Sequence, residues 1–294
     1  MKTRPLSLSL CLAASFSLGL GCVTDDPMDP VAEAGETDGD TDAETETGEP
    51  VDPDSDEDGL TDAEEAELGT DPNNKDTDGD NYWDSWEVIE GTDPLDSSSR
   101  IYQGYWPYNP DKDLLEAGTV AGASTAKDSL FPRKQFVDHH GDLVDNYDFA
   151  NYVNNNDELA WMIVDLSAMW CGPCHNMADW IAGVDNAQTA GLQQSYPTVR
   201  DKVHDLRIWW MTFIVEASDG SNPTLGDAQS WYTSHQDPYI PIFVDDNKEI
   251  LNVYNGGQFP FFFLLTPDQK IEYWGIPGPG DNPFMALFFV DQYL

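Results

Sequence analysis

Trp170-Cys171-Gly172-Pro173-Cys174 constrains this chain more than any other stretch, because Cys171 and Cys174 are the only cysteines beyond residue 22. Two cysteines with two residues between them can form a redox dithiol, half of a zinc site or a structural disulfide. A zinc site takes about four ligands, usually from a second Cys or His pair. No second pair of this kind occurs, and His139, His140, His175, His204 and His235 show no ligand spacing relative to the first. A bridge this short closes almost no loop, so it would stabilise little as a staple. The pattern favours the redox dithiol over the other two readings.

The flanking residues fit that chemistry. Leu159 to Leu166 is a short apolar run suited to a buried parallel strand. Ser167 to Trp170 carries the chain off it, and Gly172-Pro173 opens a helical stretch, where the missing N–H of Pro costs little. Cys171 is therefore expected at a helix N-terminus, exposed, with its thiol held below the ordinary range by free N–H groups and the helix dipole. Cys174, one turn later, is expected to be more buried and to stay a thiol until needed.

Val164-Asp165 through Cys174 resembles the active-site segment of the thioredoxin superfamily. The resemblance implies a buried proton-handling carboxylate at Asp165, six residues before Cys171. It also implies a cis-proline opening a strand opposite the dithiol, which Pro260 in Gly256 to Leu265 matches. Trp170 and the backbone at Phe259 are then expected to face substrate. The layout is similar to the extracytoplasmic TlpA-like and peroxiredoxin-like branch. Phe136 to Asp145 alternates around a His140-Gly141 turn as a hairpin. Leu206–Val215 and Ile240–Val244 read as strands, Thr224–His235 and Asn247–Tyr254 as helices, the last ended by Gly256-Gly257. Thr266 to Gln269 turns into a strand over Lys270 to Gly275, and Asn282 to Leu294 reads as a closing helix. The expected class is α/β, a thioredoxin-like central mixed sheet flanked by helices over 129–294. Two departures stand out. The polar stretch Ile181 to Val203 is broken by Gly183, Gly191 and Pro197. Val164 and Ala168 replace the Pro and Thr of the peroxiredoxin signature, which speaks against a dedicated peroxidase.

The N-terminus sets the expected compartment. Met1 to Arg4 is basic, and Leu6 to Leu20 is apolar apart from four serines, as in a signal peptide over 1–21. Gly19-Leu20-Gly21-Cys22 resembles a bacterial lipobox with Gly19 at the usual Leu position, which implies lipidation at Cys22 and a cell-envelope location. Residues 22–50 carry almost no bulky apolar side chains and read as a solvated tether. Of the 55 acidic residues, 29 fall between 23 and 99, against one base there, Lys75. That charge disfavours nucleic acid, and adhesion to anionic membranes by charge, as partners.

Within the acidic arm the carboxylates become ordered. Asp54, Asp56, Asp58, Asp62 and Glu65 occupy positions 1, 3, 5, 9 and 12 of a calcium-loop pattern; Asp76, Asp78, Asp80, Asp84 and Glu87 repeat it 22 residues later. Gly59 holds the sixth position of the first loop, and Asn81 replaces it in the second. Ca²⁺ takes six to eight oxygens, which alternate carboxylates and a bidentate Glu can supply. Gly-Thr-Asp-Pro follows each loop. The pair resembles bacterial thrombospondin type 3 repeats over 51–99, with calcium as cofactor. An acidic run without structure is the competing reading. Residues 100–128, aromatic and Pro-rich at the start, are a connecting segment without a functional assignment.

The sequence thus leads to an exported, lipid-anchored thiol–disulfide oxidoreductase on a calcium-binding spacer, acting on protein thiols or disulfides. Its redox direction and electron partner stay open. A calcium-dependent adhesion or scaffold lipoprotein with a non-turning-over redoxin domain, and a thiol peroxidase, are the alternatives.

Overall fold

The computed structural model describes residues 52–254, 258–274 and 284–294. The signal peptide, Cys22, the 22–50 tether, Gly256-Gly257 and Pro283 lie outside them. Val51–Leu294 forms one compact unit.

Two short helices come first, α1 (Asp62–Leu68) and α2 (Asp84–Glu90), each following an acidic loop. The sheet then assembles from β1 (Gln135–Asp138), β2 (Leu143–Asp145), β3 (Trp161–Ala168), β4 (Ile208–Glu216), β5 (Ile242–Val244), β6 (Phe261–Leu265) and β7 (Ile271–Trp274). Between and after these strands run α3 (Gly172–Ile181), α4 (Ala190–Ser195), α5 (Val199–His204), α6 (Leu225–Ser234), α7 (Glu249–Tyr254) and α8 (Met285–Tyr293). The strand order is β2-β1-β5-β4-β3-β6-β7. β3, β4 and β5 are parallel, while β1 joins β5, and β6 joins β3, antiparallel. This is the mixed sheet of a thioredoxin-like fold, with the strand that leads to the dithiol held between β4 and β6.

β3 and β4 are central because they are apolar on both faces, as a strand covered from both sides must be. Successive side chains point to opposite faces. Met162, Val164 and Leu166 enter one buried cluster with Phe136, Phe213, Phe243 and Phe263. Ile163 and Ala168 enter the other, with Cys171, Cys174, Trp180, Trp210 and Phe262. The first cluster also takes in Tyr82 from the second acidic loop and Tyr102 and Trp106 from the connecting segment. The apolar core therefore runs across residues 99/100 and 128/129. Side-chain bonds reinforce that continuity. Tyr82 donates its hydroxyl to the Trp106 carbonyl at 2.6 Å, Tyr102 to Asp148 at 2.7 Å, and the Trp106 indole to Asp138 at 2.6 Å. Lys112 pairs with the buried Asp148 at 2.7 Å.

The polar 181–203 stretch holds two short helices, α4 and α5, separated at Pro197. Thr198 ties it to α8 through Asp291, with its amide 2.8 Å from Oδ1.

Candidate functional site

Cys171 is the N-cap of α3, with Pro173 in the first turn, and its sulfur accepts the Cys174 amide at 3.2 Å. The two cysteines are joined as a disulfide, their Cα atoms 5.3 Å apart. The sequence led us to expect an exposed Cys171, but it is 2% exposed, nearly as buried as Cys174. Trp170, half exposed, stands beside it instead and sets its ring edge-on to Phe259 at 5.6 Å. The Trp170 indole donates to Glu216 at 2.9 Å, and Lys248 pairs with the same carboxylate at 3.1 Å. The Phe259-Pro260 peptide is cis and leads directly into β6. Trp170 and Phe259 thus meet next to the cluster that holds the two cysteines.

Asp165 lies on β3, on the sheet face that carries Ile163 and the cysteine cluster. It accepts from Ser167 Oγ at 2.9 Å and, at 3.4 Å each, from the Trp210 indole and Thr212 hydroxyl. Burial pushes its carboxyl up to about 7, against the pull of those three bonds. A buried acid that exchanges its proton near neutrality is suited to proton transfer beside a dithiol.

A second polar group was not found from sequence. His175 follows Cys174 and places Nε2 3.0 Å from the Met169 carbonyl and Nδ1 2.7 Å from His235 Nε2. His235, just past α6, places Nδ1 2.6 Å from Asp179. Carbonyl and carboxylate only accept, so the three links together need three hydrogens on two rings. Complete bonding exists while the pair holds one extra proton. Burial pushes His235 below the ordinary histidine range, opposed by the Asp179 carboxylate. The rings lie beside Trp231, which stacks on His175 at 4.5 Å. His175 and Asp179 at positions i and i+4 on one helix were a readable signal, but their partner sits 60 residues away.

The acidic loops share the hydrogen bonds that close each turn. Asp54 Oδ2 accepts the Gly59 amide at 3.2 Å, and Asp76 Oδ2 the Asn81 amide at 2.8 Å. Gly59 and Asn81 both have positive φ, 108° and 79°, which explains why Asn can stand in for Gly. Asp62 accepts from the amide and hydroxyl of Ser55, and Asp84 from those of Thr77. These two residues brace the loops, while Asp54, Asp56 and Asp58, and again Asp76, Asp78 and Asp80, converge within 4.8 Å. Glu65 and Glu87 are fully buried. Both oxygens of Glu65, and one each of Asp56, Asp78, Asp80 and Glu87, lack a hydrogen-bond partner. Burial first, and neighbouring carboxylates second, push Glu65 up to about 7, Asp78 to about 6 and Glu87 to about 8. Buried carboxylate oxygens facing one another without donors fit a hard cation.

A cavity of about 690 Å³ lies elsewhere, between the second loop and the connecting segment, with Trp83, Trp86, Tyr105, Tyr108 and Trp209 in its wall. Neither Cys171 nor Cys174 lines it.

The family model described as the bacterial TSP3 repeat matches residues 54–75 and 76–97. No curated protein matches the chain. Among solved structures, the thioredoxin domain of a thiol-disulfide oxidoreductase from Bacteroides vulgatus is similar at 20% identity, over 57% of this chain and 99% of that one, with a TM-score of 0.37. A thioredoxin-like protein from Bacteroides caccae matches at 8% identity over 58% and 51% of the two chains, TM-score 0.41. A secreted Mycobacterium tuberculosis disulfide oxidoreductase matches at 13% identity over 53% and 93%, TM-score 0.34. The chain joins two bacterial thrombospondin type 3 repeats to a thioredoxin-like fold.

Proposed function

We propose that this chain is an extracytoplasmic thiol–disulfide oxidoreductase whose dithiol is Cys171 and Cys174. The observation that carries the reading is the Cys171–Cys174 disulfide at the start of α3, with Asp165 on the same face of the sheet. In the reducing direction, the Cys171 thiolate attacks one sulfur of a substrate disulfide and releases the other as thiolate. Cys174 then gives up its proton, for which the Asp165 carboxylate is the acceptor, and attacks Cys171 Sγ. The second substrate sulfur leaves, and the intramolecular disulfide forms. Two electrons pass from dithiol to substrate, and an external dithiol must restore them. The same steps run backwards make the protein an oxidant.

The repeats serve as a calcium-binding spacer, with one ion per loop held by Asp54, Asp56, Asp58 and Glu65, and by Asp76, Asp78, Asp80 and Glu87. Calcium would supply positive charge there, where among these carboxylates only Asp80 has an ion-pair partner in the described residues, Arg100 at 3.7 Å. Export rests on the 1–21 leader and membrane attachment on lipidation of Cys22. Cys22→Ser should release the protein from the membrane fraction.

The test is turnover of insulin disulfides by the full mature chain with dithiothreitol as donor. Activity lost in Cys171→Ser supports the reading. No turnover with calcium binding intact would favour a scaffold role, and peroxide consumption in its place would favour a peroxidase.

A further inference from the structure

The turn joining β1 to β2 brings together Asp138, His139 and His140, whose ligand atoms lie within 4.8 Å of one another. Asp138 Oδ1 accepts the amides of His140, Gly141 and Asp142, each at 2.9 Å. Those three bonds fix both the turn and the carboxylate. Oδ2 accepts only the Trp106 indole among the described residues, and so keeps a lone pair.

Two features of this turn are unfavourable as they stand. Asp138 is fully buried, yet no lysine or arginine among the described residues is ion-paired with it. A buried carboxylate without a cation is costly. His139 is 5% exposed, and neither ring nitrogen has a hydrogen-bond partner. Its ring is wedged between Tyr232, stacked at 4.1 Å, and His140, also at 4.1 Å, with Trp106 edge-on at 6.0 Å. Packing alone accounts for the position of the ring but satisfies neither nitrogen. One cation would answer both deficits.

We propose that Asp138, His139 and His140 form a site for a borderline-soft divalent cation, represented by zinc. Two imidazoles and one carboxylate suit zinc, copper or nickel, in contrast to the all-oxygen loops at 54–65 and 76–87. Three protein ligands leave a coordination position for water, reached past the exposed His140. The Trp106 indole and the three turn amides act as the outer shell that orients the carboxylate. A bound ion would fasten the turn to the connecting segment through Trp106 and to α6 through Tyr232.

The experiment is calorimetric titration of the oxidised full-length protein with zinc chloride in millimolar calcium. The disulfide keeps the cysteines out of play, and calcium occupies the acidic loops. One zinc per chain is expected, with His140→Ala weakening it at least tenfold and His139→Phe, which keeps the stacked ring, doing the same. Melting curves should show a zinc-dependent rise in wild type and none in either variant. His140 is exposed, so its variant should fold even if His139→Phe does not. No zinc uptake by wild type, or uptake unchanged in His140→Ala, overturns the site.

Discussion

Replacing Asp165 by Asn should change how stability depends on pH, and by an amount that the site itself sets. The carboxyl is 1% exposed and raised from 3.8 to about 7, chiefly by burial. A shift of about three units corresponds to about 4 kcal/mol of linked free energy, at 1.36 kcal/mol per unit. The sign follows from the raised value. Between the unfolded and folded pKa the native state binds more protons than the unfolded chain, so this group's contribution is full below about pH 4. It is lost as pH rises through about 7. Asn carries no such titration and can still accept from Ser167 Oγ, which now lies 2.9 Å from Oδ1. The variant should therefore gain on wild type by up to about 4 kcal/mol between pH 4 and pH 8. Urea unfolding of the oxidised proteins in constant calcium, every half unit of pH, measures this. The other carboxylates titrate alike in both proteins and cancel in the difference. A difference that stays flat across this range would refute the claim that Asp165 is a buried acid poised near neutrality.

Three further outcomes follow from the same geometry. Glu65→Gln and Glu87→Gln each replace one carboxylate oxygen by an amide NH2 and remove a negative charge, and should each cost one loop at least tenfold in calcium affinity, read by calorimetry, with the other loop unaffected. Chelating calcium should alter the fluorescence of Trp83 and Trp86 and lower the melting temperature, yet change insulin turnover less than about threefold; the second loop joins, through Tyr82 and Trp86, the apolar cluster on the opposite sheet face from the cysteines. His235 should titrate below the ordinary histidine range, and Asp179→Asn, which removes the opposing carboxylate, should lower it further; an unshifted or raised value by proton NMR contradicts the burial argument.

The parts of this fold that were legible from sequence are those where one short segment carries its own physics. The apolar run before the dithiol, the Gly172-Pro173 helix start and the repeated carboxylates act within a dozen residues: the strand and helix form there and the two Asp triads converge, while Asp62 and Asp84, read as ligands from their spacing, bond Ser55 and Thr77 instead. The connecting segment was not legible because its aromatic anchors are held from far along the chain. Tyr102 and Trp106 are fixed by Asp148 and Asp138, 46 and 32 residues away. The same holds for the 181–203 stretch, whose register depends on Thr198 reaching Asp291, 93 residues on. Cys171 illustrates a different limit. Helix-start chemistry locates its sulfur correctly but does not say how much neighbouring side chains cover it, and Trp170 takes the exposed place.

The most direct measurement is of which sulfur meets the substrate. Cys171→Ser and Cys174→Ser proteins are expressed in an envelope system, quenched in acid, alkylated and run without reductant. Mixed disulfides are expected on Cys174→Ser, because Cys171 attacks and nothing resolves it, and none on Cys171→Ser. Equal trapping by both variants, or trapping by neither while insulin turnover persists, would contradict a Cys171-first exchange at this site.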